Sequence, residues 1–298
     1  MVSIEPKGCI EKKSPAKINL FLHITGKRPD QYHELYTLMC PVSLYDTIRI
    51  FPNASTTQVY CDHPEVPEDE TNLAHRAARL FFDRLQNNGH ARIEIKKKIP
   101  VAGGMGGGSS NAAAVLSALN EFFDHPFSRN KLMEMGLCLG ADVPFFILGL
   151  PAIATGIGEK LRECRGLKPF YLLVISFSFG VSTAHVYKKF NFELTKEVKD
   201  FIKPSFNALD CDISRLLCND LEEVTETDYP IITEAKEALL EHGAKGVLMS
   251  GSGPTVFGLF SSLSQIEHAA KRLVNKEMWE VYSVKMINCE LKQEQPDI

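Results

Sequence analysis

The stretch at residues 99–111 reads Ile99-Pro-Val-Ala-Gly-Gly-Met-Gly-Gly-Gly-Ser-Ser-Asn111, and it decides the fold. Before it, Ile93 and Ile95 alternate with charged residues, a period of two that predicts a strand. After it, the alanine-rich run at 112–123 predicts a helix. Glycines let the backbone approach a ligand closely, and the free N–H groups at a helix N-terminus favour an anion. The order of strand, glycine loop and helix therefore favours a phosphate-binding loop over a glycine-rich turn that binds nothing.

The spacing of the glycines separates this loop from the two common phosphate motifs. A P-loop requires a lysine directly after its last glycine, and none follows here. In the dinucleotide motif Gly-x-Gly-x-x-Gly, Gly104 and Gly106 would need a third glycine where Ser109 stands. Gly106 and Gly108 would need one where Asn111 stands. The spacing therefore disfavours both a P-loop and a Rossmann dinucleotide site.

Composition limits the class of protein. The chain has 298 residues with 44% hydrophobic content, which predicts a globular protein with room for two domains. The net charge of −4 argues against a nucleic-acid partner. The 8 cysteines form no Cys-x-x-Cys pair, so the spacing suggests no zinc site, and a reduced, cytoplasmic protein is expected. Neither a signal peptide at 1–15 nor a membrane span is predicted, so no membrane partner is expected.

Two motifs in the first fifty residues offer candidate site residues. Apolar residues alternate from Ile18 to Ile24, which predicts a strand carrying Lys17 and Asn19 on its other face. From spacing alone, Lys17 is more simply a solvated strand lysine. A turn then leads to Tyr32 and His33, whose rings could stack on a flat ligand, although simple packing is the more common explanation for such a pair.

A carboxylate in apolar surroundings follows the helix that begins after Ser128. Asp142 stands between small and apolar residues, and the apolar run at 143–148 is expected to be a strand. A carboxylate in such surroundings needs a partner, or its pKa rises. Asp142 is therefore either a catalytic carboxylate or a residue that ends a helix.

The second half of the chain predicts a ferredoxin-like, split β-α-β arrangement. Strands are expected at 170–177, 246–249, 255–260 and 280–287, and helices near 183–190, 194–202, 213–218, 231–242 and 263–274. The segment Ser-Gly-Ser-Gly-Pro at 250–254 is a second glycine-rich loop. It is expected to be a hairpin turn, and spacing does not decide whether it borders a ligand.

Three segments resemble the GHMP kinases, the superfamily of galactokinase, homoserine kinase and mevalonate kinase. Residues 100–110 resemble the phosphate loop of that family, with Met105 in place of the usual leucine and Gly108 where many members have serine. Residues 14–20 and 250–257 resemble its N-terminal and C-terminal motifs. The resemblance implies an α+β, two-domain GHMP kinase fold. The N-terminal domain at 1–162 would carry the phosphate loop, and the domain at 163–298 would be ferredoxin-like.

Four segments, at 15–22, 30–35, 104–113 and 139–145, narrow the resemblance to one branch of that superfamily. Members of this branch phosphorylate the 2-hydroxyl of a methylerythritol carried on cytidine diphosphate, in the non-mevalonate isoprenoid pathway. The resemblance therefore implies a kinase that takes ATP as co-substrate, with Mg²⁺, and a small-molecule cytidyl substrate. Monomer and homodimer both remain open.

The same resemblance assigns roles to individual residues. Asp142 matches the catalytic base and Lys17 the catalytic lysine. His33, with Tyr32 beside it, matches the cytosine site, Asn19 lines the substrate side, and Tyr187 matches a ring that stacks on the base from the opposite side. The residues implied to bind ATP are Pro100, Gly103, Gly104, Met105, Gly106, Gly107, Gly108, Ser109, Ser110 and Asn72. Ser110 is also the candidate magnesium ligand.

Two other functions remain as alternatives. One is a GHMP kinase of the homoserine or mevalonate type, against which Tyr32 and His33 argue because small acyclic substrates offer no ring to stack. The other is a ligand sensor that has kept the fold and lost catalysis, against which Lys17 and Asp142 argue.

Overall fold

The computed structural model describes residues 8–190, 212–274 and 276–287. Its contacts divide the chain into two compact units. Unit 1 comprises Met1–Ala16, Leu44–Val101 and Gly106–Gly149, and unit 2 comprises Lys17–Ser43, Ala102–Met105 and Leu150–Ile298. The long strands β1 (Ile10–Lys27) and β2 (His33–Pro52) contribute residues to both units. The domain boundary after residue 162 stays a prediction.

Unit 1 packs helices against a sheet. Its further strands are β3 (Gln58–Cys61) and β4 (Ala91–Lys96), and its helices are α1 (Leu73–Leu85), α2 (Gly107–Phe122), α3 (Arg129–Leu137) and α4 (Val143–Leu148). Strand β4 pairs antiparallel with β2 and parallel with β3. The core joins alternate residues of the strands to the inner faces of α1 and α2, and it includes Ile48, Ile50, Ile93, Phe81, Leu116 and Leu119.

Local structure in unit 1 differs from the sequence prediction in three places. The run at 143–148 is helix α4 and not a strand. Pro144 fits the first turn of that helix, and Gly149 ends it with a φ of 69°. Strand β3 lies within residues 53–69, a stretch whose prolines predict a loop, and α2 already begins at Gly107 inside the glycine loop.

Unit 2 contains the predicted split β-α-β arrangement. Strands β7 (Tyr171–Phe177), β9 (Gly246–Met249), β10 (Val256–Phe260) and β11 (Trp279–Lys285) form an antiparallel sheet in the order β11-β7-β10-β9. Its helices are α5 (Thr183–Lys189), α6 (Glu222–Asp228), α7 (Ile231–Glu241) and α8 (Leu263–Leu273). The strand order and the helices between the strands confirm the ferredoxin-like prediction.

Three short strands complete unit 2. Strands β5 (Ala152–Gly156) and β6 (Lys160–Glu163) pair with each other, and β5 also pairs with β2. Strand β8 (Cys218–Asn219) pairs parallel with β1, so the helix predicted at 213–218 is a short 3-10 turn followed by a strand. Helix α6 was not predicted, and the helix predicted at 194–202 lies outside the described residues. Among the described helices, none is long and apolar enough to cross a membrane.

Candidate active site

Lys17 lies on β1 in unit 2, and its ammonium group is held in place by a neighbouring amide. Its Nζ donates a hydrogen bond to Asn19 Oδ1 at 2.7 Å, and the residue is only 5% exposed. Asn19 Nδ2 in turn donates to Thr37 Oγ1 at 2.8 Å. The interpretation of Lys17 as a solvated strand lysine is therefore wrong. A buried ammonium is costly unless it is paired, so this position indicates a specific role.

The start of the first glycine loop contacts the second glycine loop within unit 2. Gly104 has a φ of +74°, and a Cβ built on it would lie 2.4 Å from the Ser250 carbonyl oxygen. Only glycine permits both this backbone conformation and this approach. Ser250 Oγ also accepts a hydrogen bond from the backbone N–H of Asn19 at 3.3 Å.

The second glycine loop borders the Lys17–Asn19 pair. Gly251 has a φ of +62°, and a Cβ on it would lie 3.5 Å from Asn19 Oδ1 and 3.6 Å from Lys17 Nζ. The sequence left open whether this loop reaches a ligand site. Its backbone lies beside the two polar side chains that the resemblance assigns to catalysis and substrate binding.

Asn219 is a residue that sequence reasoning missed. Its Nδ2 donates to the carbonyl oxygens of Met249 and Gly251, each at 2.8 Å, and its Oδ1 accepts from the Leu221 N–H. The two Nδ2 bonds thus hold the start of the second glycine loop, and the Oδ1 bond holds the chain just after Asn219 itself. No spacing signal pointed to it, because its partners lie about thirty residues away.

In unit 1, the glycine loop leads directly into α2. Gly106 occupies the N-cap position with φ 71°, a conformation that favours glycine, and α2 begins at the next residue. The Cβ position of Gly108 lies 3.6 Å from a methyl carbon of Leu73, so the first turns of α1 and α2 are neighbours. Asn72 caps α1 by accepting from the Ala74 N–H at 2.8 Å. This places Asn72 close to the loop whose N–H groups are predicted to bind phosphate.

A buried ion pair fixes the chain just before the loop. Lys97 forms a short salt bridge with Asp46, whose side chain is fully buried. The other carboxylate oxygen of Asp46 accepts from the backbone N–H groups of Lys98 and Ile99 at 2.8 and 2.9 Å. The Lys97 ammonium lies 3.0 Å from the Cβ position of Gly107, beside the start of α2. The sequence predicts the lysine run at 96–98 to be either a solvated strand edge or a contribution to phosphate binding, and it gives no signal for Asp46.

Ser110, the predicted magnesium ligand, is only 1% exposed. Ser14 Oγ lies 2.7 Å from Ser110 Oγ and 2.9 Å from Asn111 Oδ1, so the hydroxyl joins β1 to α2. A hydroxyl oxygen is an acceptable ligand for Mg²⁺, but this one is already engaged in a buried hydrogen bond. The donor set at Ser110 therefore fits a structural link better than a metal site, and its role as a ligand stays a prediction.

Asp142 lies directly before α4 and is partly exposed. Its side chain makes no capping hydrogen bond to that helix, so the carboxylate does not serve as an ordinary N-cap. The three residues that follow, Val143, Pro144 and Phe145, are buried and fix its backbone. Ser109 approaches the same loop, since its Oγ lies 3.7 Å from the Cβ position of Gly140. Unit 1 thus brings the Asp142 loop next to a hydroxyl of the glycine loop.

The rings predicted to hold cytosine meet in unit 2. The rings of His33 and Tyr187 lie 5.3 Å apart, centroid to centroid, tilted by 33°, and Phe190 packs edge-on to His33 at 6.1 Å. Burial, together with the charge of Lys27, lowers the pKa of His33, which keeps the ring neutral near pH 7. The two rings contact each other, so a base between them would require a spacing of about 7 Å, two van der Waals separations. Tyr32 is 61% exposed and does not join this group of rings.

Comparison with known proteins supports the family suggested by the motifs. Residues 72–150 match the model of the GHMP kinase N-terminal domain, and residues 198–278 match that of the GHMP kinase C-terminal domain. The 4-diphosphocytidyl-2-C-methyl-D-erythritol kinase of Syntrophotalea carbinolica is 46% identical over 92% of this chain and 98% of its own length. The enzyme of the same name from Geobacter metallireducens is 43% identical over the same shares of the two chains.

Solved structures agree with the sequence matches. A crystal structure of 4-(cytidine 5'-diphospho)-2C-methyl-D-erythritol kinase is similar with a TM-score of 0.77 and 32% identity, covering 93% of this chain and 99% of that one. Homoserine kinase from Cytophaga hutchinsonii shares the fold with a TM-score of 0.72 at 18% identity, over 96% of this chain and 100% of its own. Because near-full-length relatives share well over 30% of their residues with it, this chain belongs to the GHMP kinases, in the family of 4-diphosphocytidyl-2-C-methyl-D-erythritol kinases.

Proposed function

We propose that this chain transfers the γ-phosphoryl group of ATP to the 2-hydroxyl of 4-diphosphocytidyl-2-C-methyl-D-erythritol. The products would be ADP and the 2-phosphate, in the non-mevalonate route to isoprenoid precursors in the cytoplasm. The observation that carries the proposal is the buried Lys17–Asn19 pair against the second glycine loop. Full-length similarity to kinases named for this substrate supports the choice of acceptor.

Asp142 is the proposed general base. An alcohol is a poor nucleophile at neutral pH, so its proton must be accepted as the oxygen attacks phosphorus. The Asp142 carboxylate is partly exposed directly before α4, in the loop that the Ser109 hydroxyl of the glycine loop approaches.

Lys17 is proposed to stabilise the negative charge of the transferring phosphoryl group. Its ammonium is held by Asn19, so little reorganisation is needed when charge develops nearby. The transition state of phosphoryl transfer spreads charge over the phosphoryl oxygens, and catalysis consists largely of positioning and electrostatic stabilisation. Asn19 would have a second role in contacting the substrate.

The glycine loop is proposed to hold the phosphates of ATP. The N–H groups at the start of α2 favour an anion, and Gly106 permits the sharp entry into that helix. Residues 100–110 and Asn72 would together surround the nucleotide. Bound Mg²⁺ would supply further neutralisation of the phosphate charge.

The cytidyl group would be bound by aromatic stacking. The neutral His33 ring and Tyr187 would provide two faces for a flat, uncharged base once the rings separate from 5.3 Å to about 7 Å. This pair distinguishes the proposal from a homoserine or mevalonate kinase, whose acceptors carry no base.

The direct test is acceptor specificity. Purified protein would be incubated with ATP, Mg²⁺ and one acceptor at a time, with ADP release measured by a coupled assay and the product identified by phosphorus NMR. We expect turnover with the cytidyl substrate only. Turnover with homoserine or mevalonate instead would place the activity elsewhere in the superfamily. Nucleotide binding without transfer to any acceptor would support the sensor alternative.

A further inference from the structure

Three potential metal ligands meet where β1 pairs with β8 in unit 2. His23 Nδ1 lies 3.3 Å from Asp220 Oδ1 and 4.0 Å from Cys218 Sγ. The ligand atoms of all three side chains lie within 4.8 Å of one another, and a search of the described ranges for such groups of three or more His, Cys, Asp or Glu side chains finds this one. None of the three has a role in the proposed kinase reaction.

The backbone holds these ligands in fixed positions. Phe21 lies opposite Cys218 in the parallel pairing, and the Asp220 N–H donates to the Leu22 carbonyl oxygen at 2.9 Å. The second carboxylate oxygen of Asp220 accepts from the Ile24 N–H at 2.8 Å, which leaves Oδ1 directed at His23. A site that is organised in this way needs little rearrangement to accept an ion.

The ligand types and distances suit zinc. Zn²⁺ prefers nitrogen and sulfur ligands with carboxylate oxygen, in tetrahedral geometry. With zinc–nitrogen and zinc–oxygen bonds of about 2.0–2.2 Å, adjacent nitrogen and oxygen ligands lie about 3.3–3.5 Å apart. The distance between His23 and Asp220 is already 3.3 Å. The sulfur would have to approach His23 by about 0.4 Å, since the corresponding sulfur–nitrogen edge is about 3.6 Å.

We propose that His23 Nδ1, Cys218 Sγ and Asp220 Oδ1 bind a zinc ion, with a fourth coordination position open to water. The side chains of His23 and Asp220 are 14% and 11% exposed, so an ion can reach the site from solvent. The spacing of the cysteines did not predict a zinc site, because the ligands lie almost two hundred residues apart in sequence.

Zinc at this position would also affect the second glycine loop. Asn219 lies between two of the ligands and donates to the carbonyl oxygens of Met249 and Gly251. An ion that ties Cys218 and Asp220 to β1 would restrict the movement of Asn219. Zinc is therefore expected to raise the melting temperature of the chain in the absence of nucleotide.

Cobalt titration tests the site without depending on kinase activity. Chelator-treated protein, free of ATP and Mg²⁺, would be titrated with Co²⁺, which reports a thiolate ligand through a charge-transfer absorption band. We expect the band to saturate at one equivalent and to be abolished by one equivalent of Zn²⁺. Cys218→Ser should lose it. Cys138→Ser, which alters an exposed cysteine just after α3, should keep it.

Two further variants test the site independently, in case Cys218→Ser does not fold. His23→Gln and Asp220→Asn keep the thiol and should each lower zinc affinity at least about tenfold, measured by competition with a chromophoric chelator. Circular dichroism would establish that each variant is folded. Absence of the band in the unaltered protein, its survival in Cys218→Ser, or unchanged affinity in both other variants would overturn the proposal.

Discussion

Replacing Gly104 by alanine tests whether contact between the two glycine loops positions the phosphate site. The added methyl group would lie 2.4 Å from the Ser250 carbonyl oxygen and 3.1 Å from that of Gly253. Both neighbours are backbone atoms, so the overlap cannot be relieved by rotating a side chain. One of the two loops must move.

The size of the effect follows from two separate costs. An alanine at a φ of +74° is strained by about 1–2 kcal/mol relative to glycine. Restoring an ordinary contact with Ser250 requires a displacement of about 1 Å, and a misplacement of that size can lower turnover by about 100-fold. We therefore expect Gly104→Ala to lower kcat/KM for ATP by about 100-fold and to unfold at a lower denaturant concentration.

Gly243→Ala is the matched control. Gly243 has a φ of +95°, but no heavy atom lies within 4 Å of its Cβ position, so the variant suffers backbone strain without overlap. Steady-state ADP release and urea unfolding would be measured for both variants. Gly243→Ala should lose stability but keep the activity of the unaltered protein. Near-normal kcat/KM in Gly104→Ala, or an equal loss in both variants, would refute the reasoning.

Three further predictions concern other residues of the site. Asp142→Ala should lower kcat about 10²–10⁴-fold while leaving ATP affinity unchanged, and an unaltered kcat would exclude the base role. Because the pKa of His33 lies below its ordinary 6.5, KM for the cytidyl substrate should stay constant near pH 7 and rise only at lower pH, where the ring gains a proton. In the His33→Gln variant, KM for the cytidyl substrate, measured as a function of pH, should no longer rise at low pH. Asp46→Ala leaves Lys97 buried and unpaired, so it should lower the free energy of unfolding in urea by about 3–5 kcal/mol. Adding Lys97→Met to that variant removes the unpaired charge and should restore part of the lost stability.

Part of the site was predictable because its signals are local. The glycine loop, the alternation around Lys17 and Asn19, and the order of strands and helices after residue 170 are read from neighbouring residues. Each reflects a backbone preference or a periodicity that operates over a few residues. The strand predicted at 143–148 was wrong because local composition does not separate the two structures there. A short apolar segment has the same composition in a buried helix as in a buried strand.

The sequence by itself determined the strand, loop and helix around the glycines, the split β-α-β arrangement and the motifs that identify the family. The tertiary structure alone decided that Lys17 is buried, that Asp46 pairs with Lys97, that Asn219 holds the second glycine loop, and that His23, Cys218 and Asp220 converge. Most of these contacts join residues separated by tens to hundreds of positions. Hydrogen bonds and ion pairs depend on distance in space, and that distance is established only when the strands and loops have packed.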